Sequence, residues 1–359
     1  MDGIAVATSD FIGQPPYKLL VTGESYAGHA AKNENSKNPL DCIKVFTGGH
    51  VPNKFDSVIP QEDYEMIDDA ESKNTEILTD IKPKHGMYIR EVGSDIPKGQ
   101  VIVESHIRLN PYLISSLAAS GLQHATVYKK AVVTIFSTGD ELQNAGTVLN
   151  TGKIYDSNRI ALQLLLRKLP VKIVDLGILP DNKDTIQDAV RKASETSDLI
   201  ISSGGASVGS ADYMTEVIDT LGNLQLWKIN IKPGRPVAFG NINNCLFFGL
   251  PGNPASTIVT FLTICRPAIF KLCGSTAIND IYSEALLKDR IKRNPGREEF
   301  QRGNLSFDGH NLVVSTTGEQ ESNRLATFRE ANCLIRISKE QGTIEANTKV
   351  QVITLDQLL

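Results

Sequence analysis

The sequence predicts a multidomain α/β protein. Its expected parts are a central three-layer domain on a mostly parallel sheet, a β-rich domain and a helical linker region before it, and a C-terminal β-barrel-like domain. Three observations lead there. At 359 residues the chain exceeds one compact core. Its middle alternates apolar strand-type runs with amphipathic helical stretches, the mark of right-handed βαβ crossovers. Both flanks consist of short β-type runs broken by Gly, Pro, Asn and Asp. The expected division is 1–104 for the β-rich domain, 105–127 for the linker region, 128–274 for the α/β domain and 275–359 for the last β domain.

In the first domain the β-type runs are Cys42–Thr47, Ser57–Pro60, Glu76–Ile81 and Val101–Glu104. A helix is expected over Pro111–Ala119, with Asn110 as N-cap, Pro111 at its first position and Gly121 just past its end. The central domain opens with the buried-type strand Val132–Ser137. There follow a helix from Ser157 to Leu169, strand Val171–Ile178, helix Asp184–Ser194, strand Leu199–Ser202, helix Asp212–Leu221 and a helix from about Asn253 to Leu272. Leu312–Ser315, Cys333–Ile337 and Val350–Leu355 are the strand runs of the last domain.

Composition excludes several classes of function. The chain carries 37 basic and 41 acidic residues, a formal net charge of −4, with 41% apolar and 22% charged residues. This argues against a strongly basic nucleic-acid binder while leaving room for a local cationic pocket. No run of about 18 or more apolar residues occurs, so no membrane-spanning helix is expected. The N-terminal MDGIAVATSD lacks the features of a secretory signal. Five cysteines (Cys42, Cys245, Cys265, Cys273, Cys333) form no C-x-x-C pair, which suits reduced thiols in a cytoplasmic setting. The six histidines show no transition-metal spacing.

Chemistry-bearing residues gather where the central strands end, as ligand sites do in open parallel α/β sheets. Ser137-Thr138-Gly139-Asp140-Glu141 leaves the first strand and Leu179-Pro180-Asp181 the second. Ser203-Gly204-Gly205-Ala206-Ser207-Val208-Gly209, followed by Asp212, leaves the third. Gly204, Gly205 and Gly209 allow close backbone approach, so their N–H groups can form an anion-binding nest. A tight turn capped by Asp212 is the plainer reading of that loop. Glu141, Asp181 and Asp212 supply carboxylates whose hard oxygens suit Mg²⁺; Asp140 and Asp181 also read as turn caps. Lys228 and Lys232 lie four apart in a strand-like segment, hence on one face. Beside carboxylates and an N–H nest they suggest an oxyanion site, although alone they read as a solvated strand face. Pro251 and Pro254 stiffen the loop before the last helix, with Asn253 placed to cap it.

Ser137–Leu142 (STGDEL), Tyr155–Arg159 (YDSNR), Ser203–Gly209 (SGGASVG) with Asp212, Lys232–Pro236 (KPGRP) and Leu250–Pro254 (LPGNP) occur in this order. Together they resemble the molybdopterin molybdenumtransferase family, bacterial enzymes similar to the E domain of gephyrin. The resemblance extends to Met1–Val6, to Phe46-Thr47-Gly48-Gly49 and to Ile89–Ile96. It implies insertion of molybdate into adenylated molybdopterin with Mg²⁺-dependent release of AMP, the final step of molybdenum cofactor biosynthesis.

It further implies that Glu141, Asp181 and Asp212 are acidic and metal-binding residues, with Asp95 in the same functional set. Lys228 and Lys232 hold phosphate or molybdate, and Pro251 and Pro254 shape the molybdate pocket. Thr138, Gly139, Asp140, Gly204, Gly205, Ser207, Gly209, Asp2 and Thr47 contribute to substrate binding. Arg302 and Ser322 are expected from a second protomer, so a homodimer is implied, with other cofactor-biosynthesis proteins as further partners. The start at Met1-Asp2-Gly3 leads to the expectation that a preceding segment of the helical region is missing. Arg235 departs from the family's usual lysine, and Glu321-Ser322-Asn323 lacks the family's glycine. A gephyrin-type scaffold and a related nucleotide-pyrophosphate hydrolase are the alternatives.

Overall fold

Alternating residues of the first strands face two buried layers, because side chains switch faces at every residue of a strand. In the computed structural model, Ile4 and Val6 pack with Phe11, Tyr17, Leu19 and Ile59 on one face, whereas Ala5 packs with Ile43, Val45 and Val58 on the other. Residues 1–31, 38–67, 75–204, 213–275 and 280–358 are described. The chain forms two compact units, Met1–Ile102 and Val103–Leu359.

The first unit is built on strands β1 (Gly3–Val6), β2 (Tyr17–Ser25), β3 (Asp41–Val45), β4 (Ser57–Pro60), β5 (Glu65–Ile67) and β6 (Glu76–Thr79), in sheet order β4-β1-β3-β2-β6-β5. Gly3 is required by close approach: a Cβ there would lie 2.2 Å from the carbonyl oxygen of Ile59. Val101–Glu104, expected as a strand, is irregular. Val101 is exposed and the segment pairs with no other among the described residues, so β-type composition alone does not make it a strand.

The second unit begins with the linker helix α1 (Pro111–Ala119). Asn110 accepts a hydrogen bond from Leu113 N at 2.9 Å, Pro111 opens the helix and Gly121 follows at φ +80°, as its sequence dictates. None of its residues is buried. The central sheet contains β7 (Ala131–Thr138), then, past the small pair β8 (Leu142–Gln143) and β9 (Ile154–Tyr155), β10 (Val171–Leu179), β11 (Leu199–Ser203), β12 (Asn223–Lys228), β14 (Pro236–Ile242) and β15 (Cys245–Leu250). Its order is β10-β7-β11-β15-β14-β12. The first four strands are parallel and the last two antiparallel.

Helix α2 (Asn158–Leu166) and the run α5 (Pro254–Thr260) to α6 (Arg266–Leu272) cover one face with Leu162, Leu166, Val259 and Leu262 against Ile135 and Ile201. Helices α3 (Lys183–Ser194) and α4 (Tyr213–Leu221) cover the other, with Val190 and Val217 against Phe136 and Ile200. This is the expected three-layer α/β domain. Each such fully buried aliphatic or aromatic side chain is worth ~1.5–3 kcal/mol.

Between α5 and α6, Phe261–Cys265 forms a π turn. Pro267 has no N–H to offer Thr263, and the wider turn accommodates its ring. The run Pro254–Leu272 is 19 residues long with mean hydropathy 1.3, long and apolar enough to cross a membrane. Its Val259, Phe261, Leu262, Cys265 and Ile269 lie in the protein core, which accounts for that composition.

The C-terminal strands β16 (Ser283–Leu287), β17 (Glu298–Phe307), β18 (Leu312–Thr316), β19 (Cys333–Ile337) and β20 (Lys349–Thr354) close into a barrel, since β17 pairs with both β18 and β19. The barrel is joined to the central domain in two ways. Phe300, Leu334 and Ile353 share the core beneath α5, and the two-residue strand β13 (Ile231–Lys232) pairs with β17.

Candidate active site at the carboxyl ends of the parallel strands

Strands β7, β10, β11 and β15 bring their following loops to one edge of the sheet. Thr138, the last residue of β7, donates from Oγ1 to Asp181 Oδ1 at 2.6 Å. Asp140 N donates to Asp181 Oδ2 at 3.3 Å, and Asp181 N donates to Asp140 Oδ1 at 3.2 Å. The two aspartates thus cap one another's loops. Gly204, at φ +88°, donates its N–H to Leu250 O at 3.2 Å, and a Cβ on it would sit 2.5 Å from Thr138 O. It threads between the ends of β7 and β15, where only glycine fits. Gly139 adopts φ +147°, and the exposed Glu141 carboxylate folds back over it.

Thr138, Gly139, Asp140, Glu141, Asp181 and Gly204 therefore form one loop cluster. Gly205, Ser207, Gly209 and Asp212 lie outside the described residues. Among the described residues, no three His, Cys, Asp or Glu side chains are grouped to hold a metal ion. Glu141 is exposed, and Asp181 is engaged by Thr138 and Asp140.

The YDSNR segment is what ties these loops to their surroundings, a role the residue types do not announce. Asp156, 3% exposed, accepts from Arg159 N at 3.1 Å and Arg159 Nε at 3.0 Å. Arg159 continues to Asp175 Oδ2 at 2.6 Å and Asn144 Oδ1 at 2.9 Å. Asn158 Nδ2 donates to Gly252 O at 2.7 Å, reaching the loop of Pro251 and Pro254. Lys153 also enters the cluster, donating from Nζ to Asp140 O.

Pro251 is buried and Pro254 opens α5 as expected, but Asn253 does not cap that helix. Its Nδ2 donates to Ser322 Oγ at 2.9 Å, while Ser322 O accepts from Ala255 N at 3.0 Å. Ser322 is thereby bonded to this loop within its own chain. The barrel shares a core and a strand pair with the central domain, which brings its loops within reach.

Arg302, assigned to the same second-protomer set, is fully buried. Its Nε donates to Thr327 Oγ1 at 3.0 Å and its Nη2 to Glu321 O at 3.0 Å. Burial pushes its guanidinium pKa down to about 10, with Glu299 opposing the shift. It supports the turn that carries Ser322 rather than opening to solvent.

The two lysines do not share an extended face. Lys228 ends β12 in the central sheet, whereas Lys232 lies in β13, paired with the barrel. The extended run is interrupted between them, where Ile229 N donates to Arg235 O at 2.9 Å and closes a loop on the KPGRP segment. Gly234, at φ +107°, lies close under Thr260, where a Cβ would come 2.3 Å from Oγ1. Lys232 Nζ is 3.0 Å from Glu299 Oε1; Glu299 is a residue that sequence reasoning passed over, although it stands only three residues before Arg302.

In the first unit, Asp2 Oδ1 accepts from Thr47 N at 2.7 Å and Thr47 Oγ1 at 2.9 Å. The Thr47 backbone bond first, then its hydroxyl, lowers the Asp2 pKa. Asp95 is exposed in a turn of that unit.

A parallel-sheet domain with a strand-end loop cluster, preceded and followed in sequence by β domains, defines a class of multidomain α/β proteins with a ligand site at the strand ends. "Probable molybdopterin binding domain" matches residues 134–271, "MoeA N-terminal region (domain I and II)" residues 1–121 and "MoeA C-terminal region (domain IV)" residues 284–355. A molybdopterin molybdenumtransferase of Haemophilus influenzae is 37% identical over 100% of this chain and 87% of its own length. Gephyrin of Dictyostelium discoideum is 32% identical over 99% of this chain and 55% of its own. The crystal structure of a molybdopterin biosynthesis MoeA protein from Pyrococcus horikoshii superposes with a TM-score of 0.79 at 27% identity, covering 99% of this chain and 86% of that one.

The chain belongs to the molybdopterin molybdenumtransferase family, transferases of molybdenum cofactor biosynthesis. The scaffold and hydrolase alternatives are not favoured, since relatives named as this transferase match nearly the whole chain.

Proposed function

We propose that this protein inserts molybdate into adenylated molybdopterin, with cleavage of the phosphoanhydride and release of AMP. The observation that carries the reading is the loop cluster at the strand ends, where Thr138 joins Asp181 and Gly204 passes between Thr138 and Leu250. Strand-end edges of open parallel sheets are where ligands bind, and the loops converging there supply the wall for an anionic, phosphate-bearing substrate. Glu141 and Asp181, with Asp212, are the carboxylates that would hold Mg²⁺, whose hard-oxygen preference their donor set fits. When bound, Mg²⁺ offsets charge on the phosphoanhydride.

Lys232 meets the oxyanion, and Pro251, Asn253 and Ser322 form a stiff wall beside it. Lys228, Thr138, Gly139, Asp140 and the glycines of the 204–209 loop bind the substrate. Asp2 and Thr47, held together by hydrogen bonds, and Asp95 act in the same reaction. The protein works as a homodimer: α1 buries none of its residues and exposes Tyr112 and Ile114, an apolar surface that a second copy would cover. Five free cysteines, four of them buried, accord with a reducing, cytoplasmic setting.

The test is molybdate-dependent AMP release from adenylated molybdopterin. Wild-type protein should release AMP only when molybdate and Mg²⁺ are both supplied. Glu141→Ala and Asp181→Ala should lose most of that activity. Equal release without molybdate would favour the hydrolase reading instead.

A further inference from the structure

Glu299 is a buried carboxylate, 2% exposed, on barrel strand β17. Its Oε2 lies 3.0 Å from Arg293 Nε and its Oε1 3.0 Å from Lys232 Nζ, while Gln301 Nε2 donates to Oε1 at 3.0 Å. Arg293 is itself buried and fixed, donating from Nη1 to Ser338 O at 2.8 Å and Gln341 O at 2.7 Å and from Nη2 to Arg297 O at 2.6 Å. Two cations therefore share one carboxylate, and the surplus positive charge resides on the exposed partner. The Lys232 side chain is 44% exposed and lines a cavity of about 360 Å³ with Arg290, Lys292, Gln301, Gln320 and the carboxylates Glu299 and Glu321.

The backbone sets this contact. Ile231 pairs with Glu298 and Lys232 with Glu299 in parallel register, and Asn230 Nδ2 donates to Gly296 O at 2.9 Å. A lysine's flexible four-carbon stem otherwise samples many positions. A buried, immobile carboxylate restricts it to one before any anion arrives, the preorganisation that lowers the cost of binding.

We propose that Glu299 is a positioning residue, which holds the Lys232 ammonium at the mouth of this cavity so that an incoming oxyanion meets a fixed cation. The proposal deepens the transferase reading and rests on Lys232 as the residue that meets the oxyanion. Glu299 acts through Lys232, the residue it pairs with.

Two readouts on the full-length protein test it. In the first, lysines are acylated with a dilute amine-reactive reagent and quantified by mass spectrometry. Glu299→Gln should raise the reactivity of Lys232 several-fold, because loss of the ion pair frees the side chain from the position it holds. Glu299→Asp keeps a charge for Arg293 but draws it back by one methylene, so it should give a smaller rise and serves if Glu299→Gln fails to fold.

In the second, Glu299→Gln should raise KM for molybdate about tenfold with kcat within about twofold, the split expected of a lost binding contact. In a Lys232→Met background the same change should add less than about twofold, because residues acting as a unit are non-additive. Unchanged Lys232 reactivity in both Glu299 variants, or KM effects that multiply in the double variant, would overturn the proposal. Should wild-type protein show no molybdate-dependent AMP release, the transferase reading fails, while the acylation result still decides whether Glu299 restrains Lys232.

Discussion

Asn253 Nδ2 donates to Ser322 Oγ at 2.9 Å, so the residue at the head of helix α5 is turned toward the barrel instead of capping its own helix. The wall containing Pro251 and Pro254 is thereby pinned from the C-terminal domain. Ser322→Ala should cost about 1 kcal/mol of stability, the usual net worth of one hydrogen bond. It should lower AMP release more than it lowers stability. Asn253→Ala should act alike, and a double-mutant cycle followed by urea denaturation should find the two effects coupled.

Asp156 and Arg159 hold the loop after β7 against edge strand β10 through Asp175. The Asp156 side chain is almost wholly buried. Arg159→Leu should therefore cost about 3–5 kcal/mol, the penalty for leaving a buried charge unpaired. Equilibrium denaturation measures it, and Asp156→Asn combined with Arg159→Leu should recover part of the loss.

Gly204 adopts φ +88° with its Cα hydrogen facing Thr138 O. Gly204→Ala should cost upwards of about 1–3 kcal/mol from backbone strain alone, with the 2.5 Å clash added. AMP release should fall below detection even at temperatures where circular dichroism reports a folded protein, because the strained turn lies within the loop cluster.

Asp2 has its pKa lowered by the Thr47 backbone N–H and hydroxyl. The stabilisation from this contact is fully present above the ordinary aspartate pKa of about 4. It is lost as pH falls through the depressed folded-state value. Thr47→Val removes the hydroxyl and keeps the N–H, so the Asp2 titration followed by carbon NMR should move up only part of the way toward the ordinary value.

Elements marked by local capping residues or by a compact β-type run were legible in the chain. Helix α1 runs from Asn110 to Gly121 as its capping residues dictate, and Cys333–Ile337 and Ser57–Pro60 are strands with the expected limits. The parallel order of the central sheet followed from strand–helix alternation. The antiparallel pair β12 and β14 at its edge did not, because strand pairing depends on neighbours distant in sequence.

The site divides in the same way. Sequence alone determined that Thr138, Asp181 and Gly204 meet, because the parallel topology sends each strand-end loop to one edge. Tertiary structure alone decided that Lys228 and Lys232 belong to different sheets, that Arg302 is buried and that Ser322 bonds to Asn253. It also placed the Glu299 carboxylate against Lys232. A side chain's identity fixes which charges and hydrogen bonds it can offer. Which partner accepts them is settled only when the barrel docks on the central domain and excludes water from the groups between them.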